Sequence, residues 1–376
     1  MRHRLCLLSN FSMKCIAMPG NIPRWEGACQ EIIVRIVVFG AGGCVGGWIC
    51  EELSLREDIE QVACVRKWAS AVRLARRGLD IRCVDLEHAS ELPAILTAAD
   101  AVINATMPPS TREPELATAL YLASVSAGVR RFIQFSSAAV YGNRTGAVDE
   151  HIAPAPVGNY SLGKAEMESR LVGAATRSDT QLVILRPSII YGPFSEGWTV
   201  RYVERIAKGR WRNLGRAGAG TCNLVHAQDV AKAAIAAATS GLPPGTHILN
   251  INGPAVVSWN EYIERLGDAL GLRDRVTPNV ALFRGMAAAA EILRMGGGFG
   301  WVRSLYRRSV GATRAAMTNV QAVTKLYPSS AELDLLSRKV HYLADQATRV
   351  LGIRPSIPLE EGLRQSVAWC RVPGVV

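Results

Sequence analysis

The sequence predicts an α/β fold: a doubly wound parallel sheet followed by a smaller, mostly helical C-terminal lobe. Three observations carry the prediction. Residues 32–39 (IIVRIVVF) form a nearly unbroken apolar run that stops in a glycine cluster and then turns helical, as a buried strand, tight turn and helix do. From there to residue 136, strand-like and helix-like segments alternate at the pace of βαβ units, which builds a parallel sheet. The chain has 376 residues, 49% of them hydrophobic and 20% charged, enough for one large α/β domain and a second lobe.

Composition narrows the partners. The formal net charge is +11, yet no long Lys/Arg block and no aromatic-interleaved basic motif occurs, so nucleic acid is a poor partner. An anionic cofactor or small-molecule substrate accounts for the charge more simply. The nine cysteines are scattered, with no C-x-x-C pair and no ligand cluster. No metal is expected, and Cys44, Cys50 and Cys64 read as small buried hydrophobes in a reducing, cytoplasmic compartment. Residues 1–20 carry Arg2, His3 and Arg4 ahead of an apolar stretch interrupted by Asn10, Ser12 and Lys14. A disordered extension over 1–30, or true initiation near Met13 or Met18, is expected in preference to a signal peptide. No segment reaches the ~18 uninterrupted apolar residues of a spanning helix; residues 280–295 come nearest and contain Arg284, Glu291 and Arg294.

The glycine cluster comprises Gly40, Gly42, Gly43 and Gly46. Gly40-x-x-Gly43-x-x-Gly46 fits a dinucleotide-binding turn of the Rossmann type, in which backbone N–H groups at a helix start approach a pyrophosphate closely. Strict G-x-G-x-x-G spacing would need glycine at Val45. Cys44 and Val45 are the turn residues between. A helix to about residue 55 and a strand at 61–65 follow. Past that strand stand Arg66 and Lys67, where an acidic residue would bind the adenosine ribose. A cation there suits the extra phosphate of NADP, and Arg73, Arg76 and Arg77 add to that preference.

Further strands are expected at 80–84, ending in Asp85-Leu86, at 101–105, ending in Ala105, and at 131–136. A helix is expected at 111–127. The strand at 131–136 ends in Ser136-Ser137-Ala138-Ala139-Val140-Tyr141-Gly142. After a loop comes Tyr160-Ser-Leu-Gly-Lys164, plainly helical, with Tyr160 and Lys164 on one face.

At this point the chain resembles the extended short-chain dehydrogenases/reductases, also called the NAD-dependent epimerase/dehydratase family. The resemblance runs from residue 33 to residue 371. Besides the glycine turn, Ser137-Ala-x-Val-Tyr-Gly142 and Tyr160-x-x-x-Lys164, it rests on Leu185-Arg186-Pro187-x-x-x-Tyr191-Gly192-Pro193 and Leu224-Val225-His226-x-x-Asp229-Val230. The tail adds Leu351-Gly352-x-x-Pro355 with Leu359-Glu360-Glu361-Gly362-Leu363.

The resemblance implies hydride transfer at a secondary alcohol or ketone carbon, with Ser137, Tyr160 and Lys164 as the catalytic set. A free tyrosine, with a pKa of about 10, is a poor base at neutral pH. The charge of Lys164 and of an oxidised nicotinamide would favour the phenolate, while Ser137 would orient the substrate oxygen. Lys164 would also hold the nicotinamide ribose, the Pro187 segment would lie beside the nicotinamide, and Asp85 and Leu86 would contact the adenine.

Two departures from the family pattern bear on the reaction. Ala138 and Ala139 stand where sugar dehydratases carry an acidic pair, so elimination is not expected. Cys222 stands where many nucleotide-sugar enzymes place a pyrophosphate-gripping arginine. Arg201, Arg205, Lys208, Arg210, Arg212 and Arg216 offer either a substrate anion site or a solvated helix face. His226 and Asp229 have no nucleophile to serve and read as a strand-to-helix junction, with Asp229 near the N-cap of a helix at 230–239. A strand is expected at 248–251.

Ser258 and Glu261 form the capping-box pattern of the next helix. The expected domains are 1–30, an extension; 31–255, binding NAD(P), with 188–222 contributing to the substrate site; and 256–376, the substrate lobe. Residues 276–343 are longer than a compact sugar epimerase needs, and their apolar, basic stretch at 280–310 reads as a core or oligomer helix, with membrane contact the lesser alternative. The leading expectation is an NAD(P)-dependent epimerase or oxidoreductase acting on a sugar derivative as a homodimer. The alternatives are a hydroxysteroid-dehydrogenase-like or flavanol-reductase-like reductase of an alicyclic or isoprenoid ketone, and a non-catalytic dinucleotide sensor. The sensor reading is disfavoured because it would need none of Ser137, Tyr160 and Lys164.

Overall fold

In the computed structural model, residues 34–372 are described except 89, 210, 273–274, 276–284 and 286–327. The expected extension at 1–30 and the stretch at 280–310 lie outside the described residues, apart from Gly285. Among the described residues the chain begins with β1 (Val34–Phe39), α1 (Cys44–Leu53), β2 (Ile59–Val65), α2 (Val72–Ala75), β3 (Asp80–Cys83) and α3 (Leu92–Leu96). It continues with β4 (Ala101–Asn104), α4 (Glu113–Ser126), β5 (Arg131–Phe135), β6 (Gly146–Val148), α5 (Asn159–Ala175), β7 (Gln181–Pro187) and β8 (Ile189–Tyr191). Then come α6 (Arg201–Gly209), β9 (Thr221–His226), α7 (Ala227–Thr239), β10 (His247–Ile251), β11 (Val256–Ser258) and α8 (Trp259–Ala269). The last four are α9 (Ser330–Ser337), β12 (Val340–Tyr342), α10 (Asp345–Leu351) and α11 (Leu359–Cys370).

Seven strands form one sheet in the order β10-β7-β5-β4-β1-β2-β3, and every neighbouring pair is parallel. The chain runs outward from β1 to β3, then returns to β4 on the other side, so the order reverses between β1 and β4. A parallel sheet is covered on both faces, which is why β1 reads as a continuous apolar run. Its Ile36 and Val38 pack with Ile49 of α1 and Val230 and Ala234 of α7. Its Val37 and Phe39 face the opposite layer, with Leu120 of α4 and Met167 and Leu171 of α5. Ala347 and Leu351 of α10 join the first layer, so a late helix returns to the sheet.

A second core lies beyond the sheet. Tyr202, Trp211, Cys222, Trp259 and Tyr262 are buried together with Leu333, Leu336 and Leu363. Tyr202 stacks on Trp259 at 5.7 Å between centroids, a geometry that adds to the plain burial of two large rings. The capping box that starts α8 forms as expected: the Ser258 hydroxyl accepts from Glu261 N–H, and the Glu261 carboxylate accepts from Ser258 N–H.

One expectation needs correction. The helix after β9 starts three residues early, at Ala227, and its N-cap is His226 rather than Asp229. Asp229 sits buried in the first turn, and its carboxylate accepts from the Ser356 and Ile357 N–H groups at 3.1 and 3.0 Å. The acid caps a distant loop instead of its own helix. The three-residue strands β6, β8, β11 and β12 have no sequence signature, since alternation needs more residues to register.

Candidate active site

The turn after β1 is shaped to admit a ligand. Gly40 has φ +79°, and a Cβ there would lie 2.5 Å from Ala105 O. A Cβ on Gly46 would lie 2.2 Å from Gly40 O. Both positions therefore demand glycine, one for conformation and space, the other for space alone. Gly43 caps α1 with extended backbone and no side-chain bond. Gly43 thus offers no side chain to the first-turn N–H groups of a ten-residue helix, and its positive end is the cradle a pyrophosphate fits. Cys44 is bonded through its thiol to Pro193 O at 3.7 Å; burial pushes that thiol up to about 12, so it is not a thiolate. Val45 packs against the first layer of the core.

The other expected cofactor residues end neighbouring strands. Arg66 follows β2 and is exposed. Arg73, expected to assist it, is instead committed elsewhere. Its guanidinium grips Glu51 with two bonds of 2.8 Å and lies 3.6 Å from the Phe194 ring centroid. Arg76 and Arg77 are exposed. Asp85 accepts from Glu87 N–H at 3.1 Å, holding the helical turn in which Leu86 is half-buried. Ala105 donates to Phe39 O at 2.9 Å. Pro187 ends β7, paired with Ile251. Arg66, Asp85, Leu86, Ala105 and Pro187 stand at the carboxyl ends of the sheet strands, where ligands bind in open α/β sheets.

The same edge carries Ser137, Tyr160 and Lys164. Ser137 follows β5 by two residues and accepts from Ala139 N–H at 3.1 Å, which turns the chain into one turn of 3-10 helix. Tyr160 opens α5 and is 46% exposed, open to a substrate. Lys164, one turn on, is buried. Its Nζ donates to Phe135 O at 3.0 Å, tying α5 to the strand whose tip bears Ser137. Nζ stands 5.9 Å from the Tyr160 ring centroid.

Lys164 has a partner that sequence reading missed. Nζ also donates to Glu113 Oε1 at 2.6 Å, with both side chains under 5% exposed. An acid in the first turn of a helix is ordinary, so nothing in the sequence marks Glu113 as buried. Beneath the site lies a second missed network: Arg186 forks onto Glu168 and bonds Tyr141, whose hydroxyl donates to Asn250. Ala138 is buried and Ala139 half-buried, and neither position offers an acid or base.

The basic residues near 201–216 do not form one open cluster. Arg205 is buried against Glu332, whose carboxyl burial would raise; the Arg205 bonds and charge and the Tyr202 hydroxyl outweigh this and hold it below its usual value. Lys208 pairs with Glu204, and Arg212 lies 3.8 Å from Glu264. Arg201 and Arg216 are exposed, and Arg210 lies outside the described residues. Cys222 is fully buried in the second core. His226 faces no nucleophile; its Nδ1 accepts from Gln228 N–H at 3.3 Å.

Known proteins of similar sequence and fold can now be set beside this geometry. A UDP-glucose 4-epimerase of Vibrio cholerae is 28% identical over 194 residues, 46% of this chain and 57% of that protein. The match thus spans little more than half of that relative. The uncharacterized protein y4nL of Sinorhizobium fredii is 22% identical over 89% of this chain and 94% of its own length. Among solved structures, the UDP-glucuronic acid 4-epimerase of Bacillus cereus in complex with NAD superposes with a TM-score of 0.67 at 17% identity, covering 89% of this chain and 98% of that one. MoeE5 in complex with UDP-glucose and NAD gives 0.66 at 22% identity, over 90% and 98%. The family model for the NAD dependent epimerase/dehydratase family matches residues 36–251, from β1 to the last strand of the sheet. With more than half of its length so matched, the chain belongs to that family.

Proposed function

We propose that the protein moves hydride between bound NAD(P) and a secondary alcohol carbon of a sugar or nucleotide sugar, with Tyr160 transferring the proton. The observation that supports this most is the bond from Lys164 Nζ to Phe135 O, which ties the helix bearing Tyr160 to the strand bearing Ser137 at the edge where the glycine turn opens. The UDP-sugar epimerases among the relatives and similar folds support this substrate class. In this reading residues 31–255 hold the dinucleotide, and 256–376 with 188–222 shape the substrate side.

The N–H groups of the glycine turn would bind the pyrophosphate, Asp85 and Leu86 would meet the adenine, and Ala105 and Pro187 would lie beside the nicotinamide end. NAD(P), when bound, supplies the hydride acceptor and donor. Ser137 Oγ bonds the substrate oxygen, and Tyr160 takes its proton as the carbinol is oxidised and returns it on reduction. Lys164 would hold the nicotinamide ribose, and its ammonium stands 5.9 Å from the Tyr160 ring centroid. Ala138 and Ala139 leave no group to drive elimination. Arg66 favours NADP, now without the help of Arg73. Leu122 and Leu162, each 51% exposed on the packed pair α4 and α5, support a homodimer, and free cysteines support a cytoplasmic location.

A second reading, a reductase of an apolar alicyclic or isoprenoid ketone, is favoured by Cys222, which sits fully buried where a pyrophosphate-gripping arginine was expected. Denaturing the purified protein and identifying any released dinucleotide tests both. An epimerase oxidises and re-reduces one substrate, so stoichiometric NAD or NADP is the expected release, and its identity tests Arg66. An empty site that binds NADPH reversibly favours the ketone reductase. Failure to hold or bind either dinucleotide overturns the proposal.

A further inference from the structure

The buried carboxylate of Glu113 is left unused by that mechanism. Glu113 begins α4 and is 2% exposed, and Lys164 is 3% exposed. Buried charges of this kind persist only when paired and hydrogen-bonded. Here Nζ meets Glu113 Oε1 at 2.6 Å and Phe135 O at 3.0 Å. The ammonium is therefore held in one place, and its charge is offset by a neighbour closer to it than the Tyr160 ring is.

The surrounding charges do not restore the balance. On α4, exposed Arg112 is drawn to Glu87 and Glu115, and the Tyr121 hydroxyl donates to Thr180 O. On α5, Glu166 pairs with Arg170 at the surface and Glu168 with buried Arg186. Asp85 and His88, on the turn packed against α4, are exposed. Arg131, on β5, is bonded to Gln181, Ala237 O and Ser240 O, and the Tyr141 hydroxyl is engaged with Arg186 and Asn250.

We propose that Glu113 is a positioning residue for the reaction: it fixes the Lys164 ammonium beside Tyr160 and offsets its charge. The proposal rests on the reading of Tyr160 as the proton-transfer group. A reaction that runs in both directions needs Tyr160 to donate as well as accept at one pH. A lysine charge left uncompensated would move that balance towards the phenolate and against donation.

The test follows phenolate absorbance with pH in the full chain as purified. The difference between wild type and Tyr160→Phe isolates the Tyr160 signal. In Glu113→Gln, Lys164 loses its counter-charge, and the phenolate signal is expected about one pH unit lower than in wild type, on the order of what a nearby unit charge does to a titrating group. The acidic limb of the turnover profile moves the same way, and Glu113→Asp, which keeps the charge, stays close to wild type. A Glu113→Gln signal at the wild-type pH or above overturns the proposal. If that variant does not fold, Glu113→Asn makes the same comparison. Retained turnover in Tyr160→Phe would remove the mechanistic reading, while the absorbance result would still decide the charge relation.

Discussion

Lowering the pH from 7 to 5 is predicted to weaken the fold through one side chain, His226. The imidazole is 1% exposed and enclosed by the rings of Trp48 and Tyr191. Its Nδ1 accepts from Gln228 N–H, so that nitrogen is unprotonated and the proton sits on Nε2, which has no partner among the described residues. A second proton would set two N–H groups against each other in a site that water does not reach. Burial, the largest influence, depresses His226 from 6.5 to about 4, against a smaller upward pull from Asp229. A base depressed in the folded state contributes stability above its unfolded value, and that stability is lost as pH falls from 6.5 towards 4. Between pH 7 and pH 5 the loss is about 2 kcal/mol. Most carboxylates remain ionised in that window, and Glu332, held low, responds only below it. The assay is urea denaturation of wild type and His226→Asn at both pH values. Asparagine keeps an acceptor for the Gln228 N–H but cannot titrate. Wild type should lose about 2 kcal/mol more than the variant across the interval, and equal losses would refute the assignment of a buried neutral imidazole.

Two further outcomes follow from the cofactor end of the molecule. Gly46→Ala puts a Cβ against Gly40 O, and the turn can admit it only by shifting, so dinucleotide affinity measured by calorimetry should fall about tenfold or more. Arg66→Asp should lower the preference for NADPH over NADH about tenfold, measured as the ratio of dissociation constants; an unchanged ratio would remove Arg66 from cofactor choice.

The sheet was legible in the sequence because its signals are local. A run such as residues 36–39 is buried on both faces and must be apolar throughout, and the glycines that follow are required by contacts within the same turn. Tyr160 and Lys164 were legible for a similar reason, being one helical turn apart. What the sequence concealed depends on contacts far along the chain. Glu113 meets Lys164 across 51 residues, and Asp229 serves N–H groups 127 and 128 residues away, although its place after a strand suggested a local cap. Arg73 looked like a free cation because nothing in its neighbourhood announces Glu51 and Phe194. Arg205 resembled a member of a surface cluster until Glu332 was seen beside it.

If Tyr160 moves the proton while hydride passes to and from NAD(P), removing its hydroxyl must stop the reaction and leave the dinucleotide in place. Turnover of Tyr160→Phe on the substrate of the wild-type protein is measured together with the dinucleotide content of the same sample. The expected result is wild-type dinucleotide content with turnover reduced about a thousandfold, the scale of a lost general acid–base. Turnover within a few-fold of wild type would contradict it.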